Sequence, residues 1–182
     1  MKKGRTKNLV LIALFAALVA IGAFIKIPMP LVPITLQFAF CLLAGEVLGV
    51  KGGTAVLIYV IMGLIGLPVF TEGGGFMYVL KPSFGYLLGM VTGTYLCGFI
   101  SEIKPKNYLV RLLGAFAALL AVDVMGAAYM YVIYNYYLNI TLPVSQLMIS
   151  AVAVFLPTDV TWCVLVSLIA YKTEDARYRI NR

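Results

Sequence analysis

The stretch LPVFTEGGGFMYVLKPSFGYLLGM, residues 67–90, places a glutamate, three glycines and a lysine between two apolar segments. Glycine-rich polar stretches of this kind predict a loop between two helices. Non-helical backbone at membrane depth persists only where protein or water covers it. The stretch therefore predicts a loop folded over an internal cavity, and the alternative is an ordinary flexible turn at the membrane surface.

The composition is typical of an integral membrane protein. Of the 182 residues, 63% are hydrophobic and 12% are charged, and histidine is absent. A helix needs about 20 apolar residues to cross roughly 30 Å of hydrocarbon, so the length has room for about six crossings and little else. We expect one transmembrane domain, residues 1–182, without a separate soluble domain.

Apolar runs and helix-breaking residues predict an all-α fold of six membrane-spanning helices. The predicted helices cover about residues 8–27, 34–50, 54–68, 84–101, 108–137 and 158–172. The first apolar run continues for about 19 residues without the small-residue cleavage pattern of a signal peptide, so we interpret it as a retained helix. An even number of crossings places both termini on one side.

The basic residues then indicate which side that is. Twelve of them fall on the side of the termini, namely Lys2, Lys3, Arg5, Lys7, Lys51, Lys104, Lys106, Arg111, Lys172, Arg177, Arg179 and Arg182. Only Lys26 and Lys81 fall on the other side. This bias predicts cytoplasmic termini in a multi-pass protein of the cell membrane. Topology explains the positive charge, so no nucleic-acid partner is expected.

Two carboxylates inside apolar segments are candidate site residues. Pro157 interrupts the last segment and Thr158 is a good N-cap, which places Asp159 in the outer part of the membrane. A buried carboxylate costs on the order of 2.5–3.5 kcal/mol there and is usually kept for a ligand or a partner. Asp123, in the middle of the fifth helix, either lines the same cavity or packs against another helix.

Polar and aromatic residues near the two outer loops complete the predicted pocket. Glycine lets backbone approach a ligand closely, and mixed polar groups among apolar walls are what a small-molecule site requires. The glycine-rich loop and the helix after it contribute Gly74, Gly75, Phe76, Tyr78, Lys81, Ser83 and Tyr86. Thr35 and Gln37 follow the stiff proline-rich loop IPMPLVP, residues 27–33, and either form a site wall or bond loop backbone.

Catalytic and metal-binding motifs are missing from the sequence. It contains no P-loop, no G-x-S-x-G elbow and no Cys/His cluster, and its three cysteines lie in apolar runs. We therefore expect neither an enzyme nor a metal or cofactor, although a Ser-Lys arrangement stays open. On the first helix, Ala13 with Ala17, and Ala16 with Ala20, have the spacing that lets another helix approach closely. Internal packing is the equal alternative.

Several motifs, taken together and in their order along the chain, resemble those of the BioY family, the biotin-specific S components of energy-coupling factor (ECF) transporters. These are the alanine-rich first helix, IPMPLVPITLQ, GLPVF, GGG, PSFGYLLG and LPTD, and they span nearly the whole chain. The resemblance implies a six-helix bundle that binds biotin from outside and docks on a transmembrane T component with two cytoplasmic ABC ATPases. It also implies that Ala13, Ala16, Ala17 and Ala20 face that partner.

One position departs from the family pattern, which commonly has a lysine three residues after the aspartate of the last motif. Trp162 stands there, so we hypothesise that Trp162 stacks on the ligand and that Lys81 supplies the cation. Asp159 is the expected acceptor for the ureido N–H groups of biotin, with Gln37 or a tyrosine as donor to its carbonyl. Phe76, Tyr86 and Trp162 are the expected walls.

Two other functions stay open on the sequence. One is an S component for another vitamin, such as thiamin or riboflavin, because only the resemblance identifies the ligand. The other is a small membrane enzyme or a helix-packing structural subunit.

Overall fold

The computed structural model describes residues 2–28, 32–141, 143, 145, 147 and 149–174. This part of the chain contains six α-helices: α1 (Lys2–Phe24), α2 (Gln37–Leu48), α3 (Val50–Leu64), α4 (Phe84–Ile103), α5 (Tyr108–Val132) and α6 (Leu156–Lys172). A two-stranded antiparallel hairpin, β1 (Lys26–Ile27) and β2 (Ile34–Thr35), joins α1 to α2. A 3-10 turn (Phe76–Leu80) lies between α3 and α4, and π-helical turns (Ile133–Tyr137 and Ile149–Ala153) lie between α5 and α6.

Each predicted helix has a counterpart, and the hairpin shortens the two helices that flank it. Lys26 pairs with Thr35 and Ile27 pairs with Ile34, so the chain is extended where helix was predicted. For this reason α1 ends at Phe24, and α2 begins only at Gln37. Much of the proline-rich loop lies outside the described residues.

Helix length varies across the bundle, and α6, with 17 residues, falls between three long helices and two short ones. Three described helices are long and apolar enough to cross a membrane, over Arg5–Phe24, Phe84–Ile103 and Tyr108–Tyr137. In contrast, α2 and α3 have 12 and 15 residues and meet at Gly49, whose φ of +64° favours glycine. Together they form a tight helical pair.

The start of α6 differs from the prediction. Thr158 was expected to cap a new helix after Pro157, but the helix already begins at Leu156 and includes Pro157 in its first turn. A proline is tolerated there because the first-turn amides have no intrahelical acceptor. The N-cap assignment of Thr158 is therefore wrong, whereas Asp159 does lie at the start of the helix.

Close packing of α4 on α5 depends on glycines spaced four apart on α4. A Cβ on Gly89 would lie 2.7 Å from Val122 Cα, and one on Gly93 would lie 2.8 Å from the Ala118 carbonyl oxygen. Small residues at this spacing let helix backbones approach closely. The contact fixes Val122, and with it the neighbouring Asp123, against α4.

A buried ion cluster joins α2, α5 and α6 at the end of the bundle away from the hairpin. Arg111 is fully buried, and its Nη1 donates to Glu46 Oε2 at 2.6 Å while its Nε donates to the Pro105 carbonyl at 2.7 Å. Ser167 Oγ donates to Glu46 Oε1 at 3.5 Å, and the Glu174 carboxylate lies 3.9 Å from Arg111 Nη2. Arg111 was counted among the basic residues on the side of the termini, and the structure shows that its side chain is buried in this cluster.

Glu46 was not identified in the sequence analysis, although a charged residue inside an apolar run is a recognisable feature. Glu46 lies in the apolar run QFAFCLLAGEVL, and the cost argument applied to Asp159 holds equally there. A carboxylate in such a run predicts a buried cationic partner, which in the structure is Arg111.

We expect Glu46→Leu to destabilise the protein by about 3–5 kcal/mol, because Arg111 would stay buried without its main carboxylate partner. Thermal unfolding of the purified protein in detergent measures the loss. The double variant Glu46→Leu/Arg111→Leu should recover much of it, since packed apolar residues can replace a buried ion pair.

Glu72→Leu is the matched control for this prediction. It removes a carboxylate from the solvent-exposed pair with Lys81, where about 0–1 kcal/mol is expected. A double variant no more stable than Glu46→Leu alone would contradict the assignment of the loss to an unpaired arginine.

Candidate functional site

A cavity of about 620 Å³, including the part that opens to solvent, lies at the hairpin end of the bundle. Its lining residues are Val32, Pro33, Ile34, Thr35, Gln37, Phe38, Thr71, Tyr78, Ser83, Tyr86, Leu87, Met90, Val122, Asp123, Phe155 and Asp159. The lining therefore has the mixture of polar groups and apolar walls that a small organic molecule requires.

Many of the predicted site residues meet in this cavity although they are far apart in the sequence. They are Thr35, Gln37, Tyr78, Ser83, Tyr86, Asp123 and Asp159. The hairpin, α2, the α3–α4 loop, α4, α5 and α6 each contribute at least one of them. Their contact with a ligand stays a prediction, whereas their shared location is a property of the fold.

Other predicted site residues do not line the cavity. Phe76 is 75% exposed, and Trp162 is half-buried against the hydrophobic core. Lys81 Nζ lies 2.5 Å from Glu72 Oε2 and 5.1 Å from the ring centroid of Tyr78, so it stands beside a lining residue but has a carboxylate partner of its own.

The three consecutive glycines shape the loop rather than the cavity wall. Gly73 and Gly75 each have a φ of +107°, a backbone conformation that favours glycine. A Cβ on Gly74 would overlap the carbonyl oxygen of Leu67. Close backbone approach to a ligand was predicted for Gly74 and Gly75, but neither is a lining residue.

The loop between α3 and α4 is anchored on α3 by a buried phenylalanine. The ring of Phe70 occupies the space that a Cβ on Gly63 would need. It also makes an edge contact with Tyr59, at 5.5 Å between centroids, and a tilted contact with Tyr78 at 4.5 Å. The backbone N–H of Gly75 donates to the Gly63 carbonyl at 2.7 Å. The loop is thus a packed cover over the cavity.

Two further contacts fix this cover to other elements. Lys26 Nζ, in the hairpin, donates to the Thr71 carbonyl at 2.6 Å. Tyr129 on α5 donates its hydroxyl to the Val79 carbonyl at 2.5 Å. The hairpin and α5 therefore both hold the loop in place.

The polar groups of the cavity favour a ligand that donates hydrogen bonds. Asp123 and Asp159 are both buried, and no described basic side chain lies within ion-pair distance of either. A buried carboxylate needs hydrogen-bond donors, which a ligand N–H can supply. Among the described residues, no group of three His, Cys, Asp or Glu side chains could hold a metal ion.

Several lining residues were not predicted. Met90 lies one helical turn after Tyr86 on α4, so helical spacing could have identified it. Phe155 directly precedes the LPTD motif. Thr71 hydrogen-bonds the hydroxyl of Tyr78 at 3.0 Å, a contact that only the folded loop reveals.

The alanines predicted to face a partner fall into two groups. Ala13 and Ala17 are exposed on α1. Ala16 is buried at 1% exposure, and Ala20 packs against the core cluster. Burial of Ala16 corrects the expectation that it faces the partner and supports internal packing, the alternative reading; Ala20 is half-buried, and its contact with a partner stays a prediction.

Strongly apolar helices around a cavity of mixed polarity, covered by a packed loop, are typical of a small-molecule-binding protein of the membrane. The sequence profile described as "BioY family" matches residues 1–179. The chain belongs to the BioY family.

Similar proteins agree with this assignment. A "Probable biotin transporter BioY" of Lysinibacillus sphaericus is 45% identical over 141 residues, which cover 76% of this chain and 72% of that protein. The "Biotin transporter BioY" of Thermotoga maritima is 38% identical, covering 73% and 75%. The crystal structure of the S-component for biotin from an ECF-type ABC transporter superposes with a TM-score of 0.83 at 29% identity, covering 96% of this chain and 94% of that one.

Gly63→Ala should loosen the cover, because the added Cβ overlaps the ring of Phe70. Overpacking of this kind costs about 1–3 kcal/mol, so we expect cleavage after the exposed Glu72 by a glutamyl endopeptidase to become about tenfold faster. Gly53→Ala is the matched control, since its Cβ would overlap the ring of Tyr95, which does not line the cavity. Equal cleavage of Gly63→Ala and the parent would refute the anchoring role of Phe70.

Proposed function

We propose that the chain is the biotin-binding S component of an ECF-type transporter in the cell membrane. The observation that carries this proposal is a cavity lined by two buried carboxyl groups, Asp123 and Asp159, in a member of the BioY family. Relatives named as biotin transporters, and similarity to the S-component for biotin, support the choice of ligand.

In the proposed complex the ureido ring of biotin lies in the deeper part of the cavity. Asp159 accepts its N–H groups, with Asp123 as a second acceptor nearby. Gln37 or the Tyr86 hydroxyl donates to the ureido carbonyl. The ring of Tyr86, together with Phe155, forms the aromatic wall that Phe76 and Trp162 were expected to form.

Thiamin is the principal competitor as ligand. Two carboxyl groups in a lining without a described basic side chain would also suit a cation. Family membership and the named relatives favour biotin over thiamin.

We further propose six membrane crossings with cytoplasmic termini. The hairpin and the α3–α4 loop, which carry Lys26 and Lys81, form the outer end. Lys51, Lys104 and Lys106 lie at or beside the turns of the opposite end, in agreement with the positive-inside rule. The 12 and 15 residues of α2 and α3 make these helices shorter than a bilayer core of about 30 Å, so the proposed protein spans a locally thinned region there.

The proposed partners are the T component and the ATPases of an ECF transporter. The sequence has no P-loop, so ATP hydrolysis is assigned to the partners and the chain itself is not an enzyme. Ala13 and Ala17, exposed on α1, are proposed to face the T component. Biotin enters beneath the two outer loops, and motion driven by the partners reorients the loaded subunit to release biotin inward.

A binding screen of biotin, thiamin and riboflavin against the purified protein tests the ligand assignment. We expect retention of unmodified biotin. Retention of thiamin or riboflavin instead would indicate another S component, and chemical change of any substrate would indicate an enzyme.

Asp159→Asn should weaken biotin binding about 100-fold by calorimetry, because hydrogen bonds to a charged group contribute about 1.5–3 kcal/mol each. Glu102→Gln, which neutralises an exposed carboxyl group near the end of α4 and outside the lining, is the control.

Lys81 is proposed to exchange Glu72 for the carboxylate of biotin when the ligand binds, since it stands beside Tyr78 at the cavity. Lys81→Met should then weaken binding of biotin about tenfold, the size of one charged hydrogen bond, and leave binding of biotin amide unchanged. Glu72→Gln should not weaken binding, because it removes the competing carboxylate. Equal affinity of Lys81→Met and the parent for biotin would eliminate this role.

A further inference from the structure

A chain of three hydrogen bonds runs from the cavity to the covering loop. Thr35 Oγ1 donates to Gln37 Oε1 at 3.2 Å, and Gln37 Nε2 donates to the hydroxyl of Tyr59 at 2.7 Å. The Tyr59 hydroxyl donates in turn to the carbonyl of Val69 at 3.2 Å. Thr35 and Gln37 line the cavity, Tyr59 is fully buried on α3 outside the lining, and Val69 lies at the start of the loop.

The direction of each bond is set by the donors available. A tyrosine hydroxyl has one proton, so accepting from Gln37 leaves that proton for the carbonyl of Val69. The amide of Gln37 is then held with its oxygen toward Thr35 and its nitrogen toward Tyr59. Without the hydroxyl, a buried N–H and a loop carbonyl would both lose their partner.

The ring of Tyr59 reaches the same loop by a second route. It contacts the ring of Phe70, which anchors the loop on Gly63. One residue therefore joins the loop through both its hydroxyl and its ring, and joins the cavity through Gln37. Tyr59 is thus the single residue that links the side-chain N–H of Gln37 to the loop.

We infer that Tyr59 is a positioning residue that couples closure of the α3–α4 loop to the orientation of Gln37 in the cavity. When the loop is closed, Val69 fixes the hydroxyl and the hydroxyl fixes the Gln37 amide for its ligand. By the reciprocity of coupling, a ligand that engages Gln37 stabilises the closed loop. The ligand part of this inference rests on the proposed function, whereas the link between Gln37 and the loop does not.

Amide hydrogen exchange without ligand tests that link directly. The probes are the amides of Phe70, Gly73 and Gly75, which are hydrogen-bonded in the closed loop. Tyr59→Phe and Gln37→Leu should each accelerate their exchange about tenfold, since each removes a bond of the chain. Gln37 lies outside the loop. If Tyr59 only packed against the loop, Gln37→Leu would leave the exchange of the loop amides unchanged.

Tyr95→Phe is the matched control. It removes the hydroxyl of Tyr95, on α4, which hydrogen-bonds Thr54 at 3.2 Å. Thr54 lies on α3, as Tyr59 does, but this bond takes no part in the chain from the cavity to the loop. Exchange of the loop amides should stay at the parental rate in this variant. Parental exchange in Gln37→Leu would overturn the inference, even if Tyr59→Phe altered the loop.

Affinity for biotin gives the second measurement. Tyr59→Phe should weaken binding about tenfold, and adding it to Gln37→Leu should cost little more than Gln37→Leu alone, because both act through one contact. Fully additive losses would overturn the coupling. Failure of the parental protein to bind biotin would refute the proposed function, and the exchange experiment would still decide the role of Tyr59.

Discussion

The buried pair of Glu46 and Arg111 is the interaction on which the rest of the bundle depends. Neither charge can be left alone in an apolar interior, so α2 and α5 must meet at this point, and Ser167 brings in α6. Asp159 lies eight residues earlier on α6, about 12 Å along the helix axis. The same three helices are thus tied at one end and line a cavity at the other.

The cover of this cavity is an ordered part of the fold. The ring of Phe70 packs against Gly63 where a Cβ would not fit. The turn that follows Phe70 has positive φ at Gly73 and Gly75. Lys26 and Tyr129 bond the loop from the hairpin and from α5. A ligand entering at this end must pass the packed α3–α4 loop. Hydrogen bonds through Tyr59 connect this loop to the amide of Gln37 in the cavity.

Cost arguments applied to single residues predicted the location of the site well. Burying a carboxylate in an apolar segment costs free energy, and that reasoning placed Asp159 in the cavity. For Asp123 it left two alternatives, a place in the cavity wall or packing against another helix. In the structure both residues line the cavity. Arguments from chemical type alone did less well. Phe76 and Trp162 are aromatic and close in sequence to lining residues, but the turn and the helix direct their side chains elsewhere. Lys81 has a partner, Glu72, that spacing did not suggest.

The sequence by itself determined the helical membrane class, the approximate segments and the family, because hydropathy, helix breakers and ordered motifs are local properties of the chain. Only the tertiary structure decided that Arg111 is buried against Glu46, that Ala16 faces inward and that the glycine triplet serves the loop. Those outcomes depend on which side chains meet across helices distant in sequence. Partner choice of this kind is set by three-dimensional packing, which no single segment encodes.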